Sequence, residues 1–345
     1  MADLTGMMQA AAGAGGVADG SYIAVTHAGT PYLTILDHTS PGTVSLAATY
    51  AAGGTTSGVA FSPDGAYIAF SRTNSFRLLS FTAPGTVTLA ASYTNPTFTG
   101  TGVDFSPSGD YIAQVGAQSS GNRMFNLYDH TTPGTISLAA TYDSTMNQAS
   151  FVKFSPDGAY IASGGVNGFS TNPPYFTLLN HTTPGTVSFA TTYDTTGQAR
   201  DASFSSDGNY VATAHTNAPF FTLLNRPTPS TLSLAATYTG IGQGNGTAFS
   251  PDNNYIVLCC GGASNQIALL DHTTPGSVSL SATYTTSSSA IKVNFTPSGN
   301  YIAVANQSGG GAPQFTLLSH NAGSIAIAAS YVLAGNGVNL SISPV

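Results

Sequence analysis

Five histidines are the first candidates for chemistry, because imidazole serves both as a metal ligand and as a general acid or base. All five lie at one recurring position, just before a turn that contains Thr, Pro or Gly: His38, His130, His181, His272 and His320. A metal site needs three or four ligands around one ion. Equivalent positions of separate repeats do not converge in this way, and Phe81 and Arg226 replace histidine in two copies. We therefore expect these histidines to stabilise a turn by hydrogen bonding.

Recurring aspartates are the second candidates. They lie in turns of the type Phe-Ser-Pro-Asp-Gly, and serine replaces them in two copies; the positions are Asp19, Asp64, Asp157, Asp207 and Asp252, with Ser108 and Ser298. Aspartate and serine both bond to the backbone of a tight turn, which explains the exchange. A calcium loop would need the D-x-D-x-D-G pattern, which is absent. We interpret these aspartates as turn residues.

Asp104 and Asp201 could meet as the paired carboxylates of a glycosidase. However, Asp104 and Lys153 share one position in adjacent repeats, which favours an ion pair between them. The sequence offers no nucleophile elbow, P-loop or dinucleotide-binding motif in the required context. It predicts no catalytic residue, no metal site and no cofactor.

These residues are positioned by a repeat, which we number 1 to 7 by its Tyr-Ile or Tyr-Val pair. The pairs begin at Tyr22, Tyr67, Tyr111, Tyr160, Tyr210, Tyr255 and Tyr301, at intervals of 44 to 50 residues. Each unit reads as four short strands: strand A (as in Val59–Phe61), strand B (the Tyr-Ile-Ala segment), strand C (as in Phe176–Leu179) and strand D (as in Val44–Tyr50). Four antiparallel strands in 40 to 50 residues are typical of propeller blades.

The chain ends suggest how the ring closes. Repeat 1 lacks a convincing strand A, and an extra copy stands at Gly337–Leu340. We expect Val338–Ile342 to pair with Tyr22–Ala24 and so to remove an open sheet edge. The prediction is an all-β, seven-bladed β-propeller over residues 17–345, with four antiparallel strands per blade.

The Phe-Ser-Pro-Asp-Gly-x-Tyr-Ile-Ala blocks resemble the WD-like, YVTN/lactonase-type propeller repeats, over residues 17–345. The Gly-His and Trp-Asp signatures of true WD repeats are missing, and the chain has no Trp. Lactonase-type enzymes of that superfamily use acidic metal ligands that typically include Glu, and the chain has no Glu. The resemblance implies the fold and no catalytic residue.

Composition limits the partners. Only 6% of residues are charged and the net charge is -7, which argues against nucleic-acid and anionic-membrane partners. Cys259 and Cys260 are adjacent on a predicted strand, so we expect two free buried thiols. Residues 1–16 lack the features of a signal peptide. They are also similar to the starts of some phage virion proteins.

Two regions are predicted to bind partners. The B–C and D–A loops vary between repeats and carry aromatic and polar side chains, which suit a glycan or a protein; the candidates are Tyr32, Phe98, Arg123, Phe169, Asn172, Tyr175 and Phe220. Residues 1–16 place Leu4, Met7 and Met8 at helical spacing, which indicates a docking segment or a disordered arm.

These observations favour a non-enzymatic virion structural protein, such as a phage fibre, tail or decoration component. It would be made in the host cytoplasm and would bind other virion proteins, a host glycan or a receptor. The alternatives are a bacterial adhesin or lectin-like propeller, and a propeller enzyme acting on a polysaccharide or lactone.

Overall fold

The structure is a computed structural model that describes residues 21–118, 123–143, 148–166, 174–227, 230–240, 242–261, 266–307 and 312–344. Within these ranges the regular secondary structure is β-strand, and no helix that could span a membrane occurs there. The strands are β1 Ser21–His27, β2 Tyr32–His38, β3 Ser45–Ala51, β4 Thr56–Phe61, β5 Tyr67–Thr82, β6 Thr86–Phe105, β7 Tyr111–Gln118, β8 Arg123–Asp129, β9 Ser137–Asp143, β10 Gln148–Phe154, β11 Tyr160–Val166, β12 Phe176–Asn180, β13 Ser188–Tyr193, β14 Ala199–Phe204, β15 Tyr210–His215, β16 Phe221–Asn225, β17 Ser233–Tyr238, β18 Gly244–Phe249, β19 Tyr255–Cys260, β20 Gln266–Asp271, β21 Ser279–Thr285, β22 Ser289–Phe295, β23 Tyr301–Gln307, β24 Phe315–Asn321, β25 Ser324–Tyr331 and β26 Gly337–Ile342.

The predicted order of strands within a repeat is confirmed. Four separate antiparallel sheets have the orders β26-β1-β2-β3, β14-β15-β16-β17, β18-β19-β20-β21 and β22-β23-β24-β25. Strands β4 to β13 are hydrogen-bonded into one larger sheet, because β6 runs from strand D of repeat 2 into strand A of repeat 3. A further pairing, Gln148 with Ala117, joins β10 to β7. The chain is therefore an all-β protein made of repeated four-stranded antiparallel units.

The last strand pairs with the first, as the sequence predicts. Ile342 lies opposite Ile23 and Ser341 opposite Ala24 in an antiparallel register. The Tyr22 amide donates to Ser343 Oγ at 2.8 Å, and the Ser343 amide returns a bond of 2.8 Å to the Tyr22 carbonyl. Strand β26 thus serves as strand A of repeat 1. Each strand A also packs against strand A of the next repeat, and β26 lies against both β22 and β4.

The histidines have the predicted turn role. His181 Nδ1 donates to the Gly158 carbonyl at 3.0 Å, and its ring lies edge-on to Tyr111 of the preceding repeat at 5.0 Å. The other three histidines bonded in this way are His130, His272 and His320. Where Arg226 replaces histidine, its Nε donates to the equivalent Gly208 carbonyl at 2.7 Å. This contact ties the C–D turn to the A–B turn of the same repeat.

The turn aspartates that the structure describes and the cysteines are also as predicted, whereas Asp19 lies outside the described residues. Asp64 Oδ1 accepts the Ala66 amide at 3.0 Å, which is a bond within its own turn. Cys259 and Cys260 are free and buried, on β19. The A–B and C–D turns lie at one end of each sheet, which we call the turn end, and the B–C and D–A loops lie at the other, the loop end.

Candidate functional site

Every strand A carries a β-bulge near the loop end. The pairing register shifts there in all seven A–B strand pairs. One residue of strand A is left out of the ladder in six of them, and Ser57 and Gly58 are both left out in repeat 2. A bulge re-aims a side chain and is common beside active sites. The bulged residues, which we call the mouth ring, are Ser57, Thr101, Ser150, Arg200, Asn245, Ile291 and Val338. They line one cavity of about 390 Å³ together with Gln198, Lys292, Gln307 and Asn339.

Glycines after the bulge bring neighbouring A strands close together. A Cβ atom placed on Gly58 would lie 2.8 Å from Gly102 Cα, and one on Gly246 would lie 3.2 Å from Lys292 Cα. Larger residues at these two positions would push the strands apart. The mouth ring is therefore narrow because glycine occupies three of the seven following positions, Gly102 being the third.

Side chains of the mouth ring bond to the next repeat. Ser57 Oγ donates to the Gly100 carbonyl and Thr101 Oγ1 donates to the Ala149 carbonyl. Asn245 Nδ2 donates to the Ala290 carbonyl at 2.8 Å, and its Oδ1 accepts Arg200 Nη1 at 2.9 Å. Arg200 is exposed, so its remaining N–H groups face the cavity solvent. Four of the seven mouth-ring side chains are thus held by bonds to a neighbouring repeat, and the Arg200 guanidinium is anchored at the surface.

A buried ion pair lies directly beneath this ring. Lys292 Nζ donates to Asp201 Oδ1, and Asp201 Oδ2 accepts the Thr247 amide at 3.1 Å. The Asp201 side chain is 1% exposed and that of Lys292 is 14% exposed. The pair joins repeats 5 and 7, because Gly246 of repeat 6 has no side chain between them. Burial lowers the pKa of Lys292, and the Asp201 carboxylate opposes that change.

A second ion pair lies nearer the turn end and is more exposed, with the Lys153 side chain 30% and the Asp104 side chain 21% exposed. Lys153 Nζ is 3.7 Å from Asp104 Oδ1, and Asp104 Oδ2 accepts the Phe154 amide at 2.7 Å. The predicted pairing of Asp104 with Lys153 is confirmed. Asp104 and Asp201, the two carboxylates considered as a glycosidase pair, are therefore each paired with a lysine.

The described residues do not fit a catalytic metal. Within the described ranges no three His, Cys or Asp side chains come together. The carboxylate that lies beside the cavity, Asp201, is bonded to Lys292 and to a backbone amide. We therefore derive no chemical step through a metal ion.

The loop residues predicted to bind a partner lie elsewhere. Phe98 is 2% exposed within β6, so its ring is not presented to solvent. Tyr32 and Phe220 are half-buried and have left-handed φ angles of 76° and 66°. Tyr175 is half-buried against the core cluster that contains Phe176. None of these side chains lines the mouth cavity.

Six other predicted residues cannot be placed as side chains. Arg123 begins β8, but its side chain lies outside the described residues, as do Phe169, Asn172, Leu4, Met7 and Met8. Sequence reasoning missed the mouth ring altogether. The signal available was a polar residue two positions before the Val of Val-x-Phe in repeats 2, 3 and 4, namely Ser57, Thr101 and Ser150.

Comparison with solved structures shows a β-propeller fold. A candidate 6-phosphogluconolactonase of Bacteroides fragilis superposes with a TM-score of 0.79 at 13% identity, covering 96% of this chain and 100% of that one. One from Bacteroides uniformis gives 0.80 at 15%, covering 94% and 99%. A periplasmic gluconolactonase of Pseudomonas aeruginosa gives 0.75 at 14%, covering 94% and 99%. No family model and no curated protein matches the sequence.

These neighbours overturn two expectations. The predictions of a virion structural protein and of a protein without enzymatic activity are wrong, since these three structures, which share nearly the whole fold, are named as lactonases. They favour the alternative of a propeller that acts on a lactone. At these identities the likeness shows the fold alone, because one fold hosts many functions.

Proposed function

We propose that the seven repeats form a seven-bladed propeller over residues 17–345, and that this propeller hydrolyses a lactone at the mouth ring. The blade count is supported by the contacts of successive A strands and by the pairing of β26 with β1. The observation that carries the activity is the cavity of about 390 Å³ at the loop end, into which seven bulges direct their side chains. A cavity of this size accommodates a small sugar lactone.

The chemistry follows from the donors around the cavity. Water adds to the lactone carbonyl, and negative charge develops on its oxygen. The ring C–O bond then breaks, and the ring oxygen takes up one proton of the added water and leaves as a hydroxyl group. The other proton remains on the new carboxylic acid and is released when that acid ionises. Arg200 and Lys292 both line the cavity and donate N–H groups, so they stabilise the developing oxyanion. Asp201 is a positioning residue that holds Lys292 in place.

The rest of the cavity wall matches a hydroxylated ring. Hydroxyl and amide groups of Thr101, Ser150, Gln198 and Asn339 line it and exchange hydrogen bonds with substrate hydroxyls. Ile291 provides an apolar surface for the C–H groups of the ring. Hydrogen-bond donors therefore line one side of the cavity and an apolar patch lines another. This arrangement favours one orientation of the bound lactone.

The test is proton release from glucono-δ-lactone, followed at constant pH, with the spontaneous rate subtracted. We expect the protein to accelerate hydrolysis and Arg200→Gln to lower kcat/KM by about 100-fold, the typical effect of losing one oxyanion donor. Arg77→Gln is the matched control, because Arg77 lies on β5 and does not line the cavity. It should keep the wild-type rate.

Two results would refute the proposal. One is a rate equal to that of buffer alone throughout the pH range in which the protein is folded. The other is equal activity of the Arg200→Gln and Arg77→Gln variants, which would place the reaction away from the mouth ring.

A further inference from the structure

A second groove lies at the opposite end of the molecule, between repeats 5 and 6. It has a volume of about 500 Å³ and is formed by the A–B and C–D turns of these two repeats. We call it the seam groove; the residues used below are Asp207, Asn209, Tyr210, Asp252, Asn254 and His272. None of them lines the mouth cavity at the loop end.

The repeat departs from its usual sequence at this seam. The turn proline is replaced by Ser206 in repeat 5, and the turn glycine is replaced by Asn253 in repeat 6. The two replacements bond to each other: the Ser206 amide donates to Asn253 Oδ1 at 2.7 Å, and Asn253 Nδ2 donates to Ser206 Oγ at 2.8 Å. In the neighbouring pair of repeats, Pro251 merely touches the site of Gly299. The seam is therefore locked by directional bonds.

The same two repeats share an Asp-x-Asn arrangement. Asn209 Nδ2 donates to Asp207 Oδ2 at 2.8 Å, and Asn254 Nδ2 donates to Asp252 Oδ2 at 2.8 Å. Repeat 7 has Asn300 at this position but Ser298 in place of aspartate. Each bond fixes a carboxylate and turns the amide oxygen away from it, so the groove holds two pre-ordered sets of acceptor oxygens.

We propose that the seam groove binds a neutral saccharide or polyol. Its wall is rich in carboxylate and amide oxygens, which accept hydrogen bonds from hydroxyl groups. The two carboxylates disfavour an anionic ligand. Arg226 also lines the groove, but its Nη2 lies 3.5 Å from Asp157 Oδ2, so the Asp157 carboxylate balances its charge. The Tyr210 and His272 rings meet edge-on at 5.0 Å and add a partly apolar wall.

The test uses saturation-transfer NMR with maltose, cellobiose and lactose at millimolar concentration. The variant carries Asn209→Ala and Asn254→Ala, which release the Asp207 and Asp252 side chains but leave their bonds to the turn backbone. The control is Asn300→Ala, the same register in repeat 7. Urea midpoints of all three proteins should agree.

We expect transfer to at least one sugar with the wild type and with Asn300→Ala, and affinity lower by about tenfold or more in the double variant. Absence of transfer to all three sugars overturns the proposal, as does equal transfer in the double variant. Calorimetric binding of calcium that the double variant loses, without binding of sugar, would identify a cation site instead. The lactone assay is unaffected by these outcomes, because the two sites have no residue in common.

Discussion

The ion pair of Asp201 and Lys292 gives the sharpest prediction for stability. Asp201→Asn keeps the side-chain volume and an oxygen for the Thr247 amide, but it removes the negative charge. The Lys292 ammonium would then be left 14% exposed without its counter-ion. Loss of one partner from a buried pair costs about 3–5 kcal/mol. We expect the free energy of unfolding to fall by about that amount at pH 7.

The pH dependence identifies the cause. Burial already lowers the pKa of Lys292, and removal of Asp201 lowers it further. A lysine with a depressed pKa in the folded state stabilises the fold fully only above its unfolded pKa of about 10.4, and this contribution is lost as the pH falls. The deficit of Asp201→Asn relative to the wild type should therefore shrink between pH 7 and pH 10.

A double-mutant cycle completes the test. Lys292→Met in the Asp201→Asn background removes the isolated charge and fills the space with an apolar chain. We expect the free energy of unfolding of the double variant, measured by urea denaturation, to lie within about 2 kcal/mol of the wild-type value. This loss is much smaller than the sum of the losses of the two single variants. Additive losses, together with a deficit that is equal at pH 7 and pH 10, would refute the electrostatic argument.

Three further predictions concern other parts of the fold. Burial lowers the pKa of His215 to about 4, so the stability present above pH 6.5 should be lost as the pH falls toward 4, by about 3 kcal/mol in total. His215→Gln should flatten this pH dependence of the free energy of unfolding in urea titrations, and an unchanged slope would contradict the prediction. Ser206→Pro removes the amide that donates to Asn253 and should lower the free energy of unfolding by about 1–2 kcal/mol. Ser206→Pro combined with Asn253→Gly restores the usual Pro–Gly contact and should lower it by less, and a double variant less stable than the single one would show that the two residues are not coupled. Leu340 lies on the closing strand and is 3% exposed, so Leu340→Ala should lower the free energy of unfolding by about 2–5 kcal/mol. Leu280 lies on an outer strand and is 49% exposed, so Leu280→Ala should lower it by about 1 kcal/mol or less, and similar melting temperatures of the two variants would contradict the role of β26 in closure.

Much of the scaffold could be predicted because its causes are local. The Phe-Ser-Pro-Asp-Gly turn depends on the φ preferences of its own residues and on bonds such as that of Asp64 to its own backbone. The role of His181 followed from its place before a turn. The pairing of β26 with β1 followed from counting strands, since a repeat short of one strand at the start had a spare one at the end.

The candidate site could not be predicted in the same way. Variation between repeats favours the loop aromatics as contact residues, yet Phe98 is buried in the core and Tyr175 packs against it. Burial of a loop side chain depends on the neighbouring sheet, which the local sequence does not describe. The sequence does not predict a site at Arg200, because only the bulge in its strand turns its side chain toward the cavity.

The sequence by itself determined the repeat, the four strands of each unit and the turns between them, because turn chemistry and the alternation of apolar residues act over a few positions. The Asp104–Lys153 pair of adjacent repeats was predictable from their shared strand position, but only the tertiary structure decided the contact between residues of non-adjacent repeats. Asp201 and Lys292 stand 91 residues apart, and they touch because the A strands converge and the intervening Gly246 leaves room. Proximity between equivalent positions of different repeats is a property of the assembled sheets, and no single repeat contains it.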